Sequence, residues 1–313
     1  MVRNRPRSTR ILVLLSVMAT ACLPAETREP PGSLTVTATG SPLTVSEIST
    51  ADGWQVTFDR VLFSIGYVSI GGGRGPKLSG DSCDVYAGAS YGRILDLTLP
   101  GAQRVTEVFA LGECEFGFRV PEPASNAVLG ARVSEADFAF MRTTGTDSHV
   151  TDKAISLFVS GSAARGDESK EFRWAFRRPL EYKDCELGAG EEPGNVVQFA
   201  QDSPRVVDIL IRAESLFRDE LDEANAGFQF DAFALADDEF GNRDGEVALA
   251  ELDNVPLTDS RVSIGRQSSG ERPWKTLADW VYLGLVPTVP RVGGTGACSL
   301  EEGSGQSRGP GFL

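Results

Sequence analysis

Hydrophobic and polar side chains alternate along much of the first two thirds of the chain, which is the pattern of β-strands with one buried face. Apolar residues occupy the even positions of segments 34–38 and 54–58, with polar residues between them. After Arg60 the phase reverses, because the apolar residues Val61, Phe63 and Ile65 lie at odd positions. A reversal of this kind predicts a β-bulge or a strand that crosses from one sheet to another.

The same alternation predicts a series of further strands. Residues 155–159 and 172–176 flank the polar turn 164–168, which is typical of a β-hairpin. The other predicted strands cover residues 93–99, 104–111, 115–120, 131–142 and 207–211.

Helical spacing replaces the alternation in the last third of the chain. Apolar residues in segment 228–235 predict a helix that leads into an acidic loop, and those in segment 247–252 predict a short helix that leaves it. Thr276 and Asp279 have the spacing of a capping box, which predicts a helix over residues 277–286.

These patterns predict a mainly β protein. About ten short strands, with helices confined to the C-terminal third, favour a β-sandwich over residues 33–298. The glycine-rich segment 299–313 is predicted to be a disordered tail. A hydrophobic content of 41% and a charged content of 24% are ordinary for a globular protein of 313 residues, so a sizeable core is possible.

The first 21 residues have the pattern of an export signal. Four Arg residues precede the apolar segment 11–21, which is too short to cross a bilayer as a helix. We therefore expect residues 1–21 to be a cleaved signal peptide. The polar, proline-containing segment 22–32 that follows is typical of a linker.

The end of this signal resembles the lipobox of bacterial lipoproteins. Small residues at 19–21 precede Cys22, although Ala19 stands where the family prefers Leu. The resemblance implies that Cys22 is lipidated and anchors the protein to a membrane. Leu23 stands where an Asp marks inner-membrane retention in such lipoproteins, so the outer membrane is expected. Plain secretion with Cys22 unpaired is the alternative.

The charge of the chain excludes several partners. Loss of residues 1–21 removes four Arg and no acidic residue, so the net charge changes from −14 to −18. Nucleic acids and anionic lipid surfaces require basic patches and are not expected to bind. Thirteen of the acidic residues, with only two basic ones, lie in segment 214–253.

Four cysteines remain after Cys22. An even number in an exported chain predicts two disulfides. Of the three possible pairings we favour Cys83 with Cys114 and Cys185 with Cys298. A metal–thiolate site is the alternative, but no CxxC spacing supports it.

The acidic segment 237–252 contains a pattern that resembles an EF-hand calcium loop. A twelve-residue loop ending at Glu251 places Asn242 at position three, Asp244 at position five, Gly245 at position six and Val247 at position eight. The wider segment 228–253 then has the helix–loop–helix order of an EF-hand.

Position one departs from the pattern, because Phe240 stands where the first Asp is expected. A loop lengthened by about two residues would bring in another carboxylate. The predicted Ca²⁺ ligands are the side chains of Asp238, Asn242, Asp244 and Glu251 and the backbone carbonyl of Glu246, completed by water or Asp237. The alternative is an acidic turn that has lost its ion.

His149 limits the possible catalytic chemistry because it is the single histidine. Multi-histidine metal centres are excluded, and a Ser-His-Asp triad would have to use His149. We interpret its polar neighbourhood, which includes Asp147, Ser148 and Asp152, as a solvated turn.

Two functions remain. The chain resembles uncharacterised bacterial lipoproteins with EF-hand-like segments, which implies a non-enzymatic, calcium-stabilised lipoprotein of the envelope that binds an envelope protein or glycan or has a structural role. The alternative is a lipid-anchored hydrolase that uses a carboxylate pair.

Overall fold

The computed structural model describes residues 29–71, 83–88, 90–187, 196–264, 274–294 and 296–302. Its strands are β1 (Gly32–Gly40), β2 (Ile48–Ser49), β3 (Gln55–Gly71), β4 (Asp84–Ala87), β5 (Gly92–Asp96), β6 (Gln103–Val120), β7 (Val128–Leu129), β8 (Leu157–Arg165), β9 (Glu168–Phe176), β10 (Leu180–Lys183), β11 (Val196–Phe199), β12 (Pro204–Ile211), β13 (Glu246–Val247), β14 (Pro290–Val292) and β15 (Ser299–Glu302). Its α-helices are α1 (Glu135–Met141), α2 (Asp231–Phe240), α3 (Leu249–Leu252) and α4 (Leu277–Asp279), and a 3-10 helix covers Ala213–Phe217.

Two long strands, β3 and β6, organise the sheet. The main hydrogen-bonded path runs β13-β9-β8-β3-β6-β1-β12-β14, and the shorter strands branch from it. The first half of β6 pairs with β1, whereas its second half pairs with β3, β10 and β11. Since one strand serves both regions, the sheet curls around a shared core.

The prediction of a mainly β protein is confirmed. The fifteen strands among the described residues join into one large curled sheet, and the β-sandwich stays a prediction. Several strands beyond the predicted ten have only two to four residues, which is too short to produce a recognisable alternation.

The alternation itself correctly identifies the buried faces. Side chains of β1 alternate between buried and half-buried along its whole length, and β9 buries every second residue from Lys170 to Phe176. The predicted phase change near Arg60 is a β-bulge, because the pairing of β3 with β8 shifts register between Phe58 and Arg60. The predicted hairpin is formed by β8 and β9.

The strand predicted over residues 131–142 is wrong, because this segment contains helix α1. Ser134 accepts a hydrogen bond from the Asp137 N–H, and the Asp137 carboxylate accepts one from the Ser134 N–H, which completes a capping box. Met141 then packs into a small cluster with Phe138, one helical turn away. Helices are therefore not confined to the C-terminal third.

The C-terminal predictions are also partly revised. The helix predicted over 277–286 begins with the expected Thr276–Asp279 capping box. After α4 it continues with π-helical geometry over Trp280–Leu285 and ends in a 3-10 turn at Val286–Thr288. The predicted disordered tail begins instead with β15, which pairs with β10, and its residues 303–313 lie outside the described residues.

Both favoured disulfide pairings are confirmed. Cys83 bonds to Cys114, 31 residues away, and Cys185 bonds to Cys298, 113 residues away. The second bond lies beside the pairing of β10 with β15 and ties the C-terminal strand to the middle of the chain. The part from Pro31 to Leu313 forms one compact unit.

Candidate functional site

The EF-hand-like segment lies at one edge of the curled sheet. Helix α2 leads into the acidic loop and α3 leaves it, so the predicted helix–loop–helix order is present. Between them β13 pairs in parallel with β9. The Glu171 N–H also donates a hydrogen bond to the Gly245 carbonyl at 2.8 Å. The loop is therefore fixed to the sheet by backbone hydrogen bonds.

The backbone features of the EF-hand pattern are also present. Gly245 has a φ of 87°, in the left-handed region that the sharp turn at position six requires. Val247, at position eight, is fully buried in the main core. Phe240, at position one, packs against the same core. The loop therefore has the turn at Gly245 and the buried residue at position eight that the EF-hand pattern requires.

Glu251, the predicted bidentate ligand at position twelve, instead holds the loop backbone. Its Oε1 accepts a hydrogen bond from the Asn242 N–H at 3.0 Å, and its Oε2 accepts one from the Ala248 N–H at 2.9 Å. The side chain is buried. A Cβ on Gly241 would lie 2.1 Å from Glu251 Oε1, so the glycine allows this close approach.

Asn242, Asp244 and Glu246 are also engaged within the loop. The Asn242 side-chain amide donates to Asp244 Oδ2 at 2.9 Å, and the Glu246 N–H donates to Asp244 Oδ1 at 2.9 Å. These hydrogen bonds lower the pKa of Asp244. The Glu246 side chain is exposed at the start of β13.

Lys170 contacts the carboxylates of Asp237 and Asp238, the remaining side chains of the predicted calcium site. Its Nζ lies 2.5 Å from Oδ1 of Asp238 and 2.6 Å from Oδ2 of Asp237. Asp237 has no exposed surface, and it also accepts hydrogen bonds from the N–H groups of Asp244 at 3.0 Å and Gly245 at 3.1 Å. Asp237 therefore connects α2, the loop and β9.

Several oxygens of the predicted calcium ligands contact other groups of the protein. The described residues contain no group of three or more His, Cys, Asp or Glu side chains placed to hold a metal ion. Asp238 contacts an ammonium, and Glu251 caps backbone N–H groups. Calcium binding by Asp238, Asn242, Asp244, Glu246 and Glu251 remains a prediction from the sequence.

The sequence analysis does not identify Lys170 as a site residue, although its position on the buried face of β9 could have indicated a role. Lys170 has the same parity in β9 as Phe172, Trp174 and Phe176, all of which are buried. A lysine on the core face of a strand requires a partner of opposite charge. Burial lowers the pKa of Lys170, but its hydrogen bonds to Asp237 and Asp238 outweigh burial and raise the pKa above its ordinary value.

A second ionic cluster joins the acidic segment to the sheet through Glu223. Its Oε1 lies 2.9 Å from Nη1 of Arg218 and 2.9 Å from Nη2 of Arg291, and its Oε2 lies 2.6 Å from Nη1 of Arg212. Burial raises the pKa of Glu223, but contacts with Arg218, Arg212 and Arg291 outweigh it and lower the pKa to about 2.

This cluster should make stability depend on pH. The folded pKa of Glu223 lies below its ordinary value of 4.5, so its stabilising effect is present above pH 4.5 and is lost as the pH falls towards 2. We expect Glu223→Gln to lower the free energy of unfolding at pH 7, and this loss to shrink steadily below pH 4.5. Urea titrations at several pH values measure it, with Glu220→Gln, an exposed neighbour, as the control. A loss that is constant with pH would rule out the ionic explanation.

His149 is not part of a solvated turn, contrary to the sequence-based interpretation. Its side chain is only 7% exposed, and its Nε2 lies 3.0 Å from Oδ1 of Asp279. The ring stacks on Tyr282 with centroids 4.5 Å apart. Its Nδ1 lies 2.9 Å from Oγ of Ser148, and that hydroxyl lies 2.8 Å from Oδ2 of Asp253.

These contacts join Ser148, His149, Asp253 and Asp279 into one hydrogen-bonded group. The Ser148 Oγ lies within 2.9 Å of both oxygens of Asp253, and a carboxylate can only accept. The Ser148 hydroxyl therefore donates to Asp253, and Nε2 of His149 donates to the Asp279 carboxylate. The arrangement fastens the loop around His149 to α3 and α4.

A cavity of about 150 Å³ lies beside this histidine. It is lined by His149, Val150, Lys153, Arg178, Pro179, Tyr282 and Leu283. Among these described residues there is no Asp or Glu, so the cavity does not present the carboxylate pair of the hydrolase alternative. Trp54, Trp174 and Trp280 are fully buried and do not line a binding cleft.

Comparison with known protein families, with characterised proteins and with solved structures finds no match. No helix in the described ranges is long and apolar enough to cross a membrane. Cys22, the predicted lipidation site, and the predicted signal peptide lie outside the described residues.

Proposed function

We propose that this chain is a lipid-anchored protein of the bacterial cell envelope that acts by binding a partner or by a structural role. The observation that carries this proposal is the pair of disulfides, Cys83–Cys114 and Cys185–Cys298. Disulfides form and persist in oxidising compartments such as the periplasm and the cell surface. The export signal and the lipobox-like residues before Cys22 indicate the same location.

The charge of the chain limits the chemistry of the partner. With residues 1–21 removed, the net charge of −18 disfavours nucleic acid and anionic lipid headgroups. A basic or uncharged polar surface of an envelope protein or glycan is compatible with it.

The lipid anchor is tested by replacing Cys22. We expect the unaltered protein to sediment with membranes and Cys22→Ser to appear in the soluble fraction, because a serine cannot form the thioether to the lipid. The measurement is immunoblotting of membrane and soluble fractions from detergent-free lysates. Membrane-bound Cys22→Ser protein would contradict the anchor.

A matched variant separates anchoring from sorting. Leu23→Asp keeps Cys22 and is expected to remain in membranes but to move from the outer to the inner membrane, as the lipoprotein resemblance implies. Separation of the two membranes on a sucrose gradient measures this shift. Outer-membrane recovery of Leu23→Asp would contradict the assigned destination without affecting the Cys22 result.

A further inference from the structure

The EF-hand-like loop contains its own positive charge. Lys170 projects from β9 towards the core, and its side chain is 7% exposed. Its Nζ contacts one oxygen of Asp237 and one of Asp238 at 2.6 Å and 2.5 Å. The two aspartates belong to the last turns of α2, directly before the loop. The ammonium is therefore located between two of the carboxylates that precede position one of the loop.

Asp237 explains why a cation is required there. It is fully buried, and an ionised carboxylate without a partner is costly in the protein interior. Two of its hydrogen bonds come from the N–H groups of Asp244 and Gly245 in the loop. These two hydrogen bonds connect the Asp237 carboxylate to the backbone of the loop.

The side-chain oxygens of Glu251 and Asp244 in the loop already accept hydrogen bonds. Both Glu251 oxygens accept backbone N–H groups across the loop, and both Asp244 oxygens accept hydrogen bonds. In an EF-hand, a bound Ca²⁺ holds these positions together. Here the hydrogen bonds close the loop directly, and a dication near Nζ of Lys170 would be repelled.

We infer that Lys170 replaces calcium as the cation of this EF-hand-like loop, so that the folded loop is independent of calcium. The predicted loop ligands then have structural roles: Glu251 and Asp244 cap the backbone, while Asp237 and Asp238 hold the ammonium. The inference is independent of the envelope location and of the lipid anchor.

The first test uses the unaltered sequence of the exported domain. We expect the protein to have the same melting temperature in EDTA and in CaCl₂ at about 10 mM. A calcium loop with a dissociation constant near 1 mM would instead raise it by roughly 3–5 °C. The matched control is Glu251→Gln. A calcium-dependent rise in the unaltered protein that disappears in Glu251→Gln would overturn the inference.

The second test is a double-mutant cycle on the buried pair. Lys170→Met leaves Asp237 without its counter-ion, and Asp237→Asn leaves Lys170 with one carboxylate fewer. We expect Lys170→Met to lower the melting temperature by roughly 5–15 °C. The double variant should lose less stability than the sum of the single variants, because it removes both buried charges.

Additive losses in the cycle would mean that Lys170 acts by packing alone, and would overturn the inference. The calcium comparison requires no substitution at Lys170, so it remains decisive if Lys170→Met does not fold.

Discussion

Replacing Cys185 and Cys298 together by Ala is expected to lower the free energy of unfolding by about 4 to 5 kcal/mol. This disulfide closes a segment of 113 residues, and a cross-link stabilises mainly by reducing the entropy of the unfolded chain, more so for longer segments. Urea unfolding of the exported domain, monitored by tryptophan fluorescence, measures the loss.

The other disulfide supplies a matched control. Cys83–Cys114 closes only 31 residues, so its double Ala variant is expected to lose about 3 to 4 kcal/mol. Each pair contains one fully buried cysteine, Cys114 or Cys185, and one partly buried cysteine. The cost of the cavities is therefore similar. A larger loss for the Cys83–Cys114 pair would show that segment length does not decide the stabilisation.

Local patterns in the sequence predict the strands well because each strand has one face in the core. The alternation in β1 and β9 needs no knowledge of the neighbouring strands, since burial of one face already imposes it. The even number of cysteines likewise predicts two disulfides. Both confirmed predictions depend only on residue type and spacing.

The strand predicted over 131–142 shows where alternation misleads. Phe138 and Phe140 alternate, but the Ser134–Asp137 capping box and the three-residue spacing of Phe138 and Met141 favour a helix. The alternation of Phe138 and Phe140 is the stronger hydrophobic pattern, but the capping box supplies hydrogen bonds to the backbone N–H groups that begin a helix. The capping box therefore identifies the segment better than its aromatic residues do.

The ionic contacts of the acidic segment could not be predicted from spacing. Lys170 and Asp237 are 67 residues apart, and Glu223 and Arg291 are 68 apart. The EF-hand-like spacing lies within one short segment of the sequence, so it can be recognised there. Lys170, which contacts Asp237, comes from strand β9. The inward parity of Lys170 predicts only that some partner exists.

The largest core effect is expected at Trp174, which joins the sheet to the EF-hand-like loop. Its indole Nε1 donates to the Val247 carbonyl at 2.8 Å, and its ring lies 5.3 Å from that of Phe233 in α2. The side chain is fully buried. We expect Trp174→Ala to lower the free energy of unfolding by about 3 to 5 kcal/mol.

Trp174→Phe isolates the hydrogen bond. It keeps an aromatic ring in the core but leaves the Val247 carbonyl without this donor, at a cost of about 1 to 3 kcal/mol. Because Val247 belongs to β13, the loop over residues 241–248 should open more often. Hydrogen–deuterium exchange of the loop amides is expected to increase in this variant.

Trp280→Phe is the matched control for this prediction. Trp280 is equally buried, but its Nε1 donates at 3.1 Å to the carbonyl of Arg218, outside the loop. Its global cost should be similar, while exchange over residues 241–248 should stay at the level of the unaltered protein. Equal increases in loop exchange in both variants would mean that general destabilisation opens the loop. An increase confined to Trp174→Phe would show that the bond to Val247 holds the loop against the sheet.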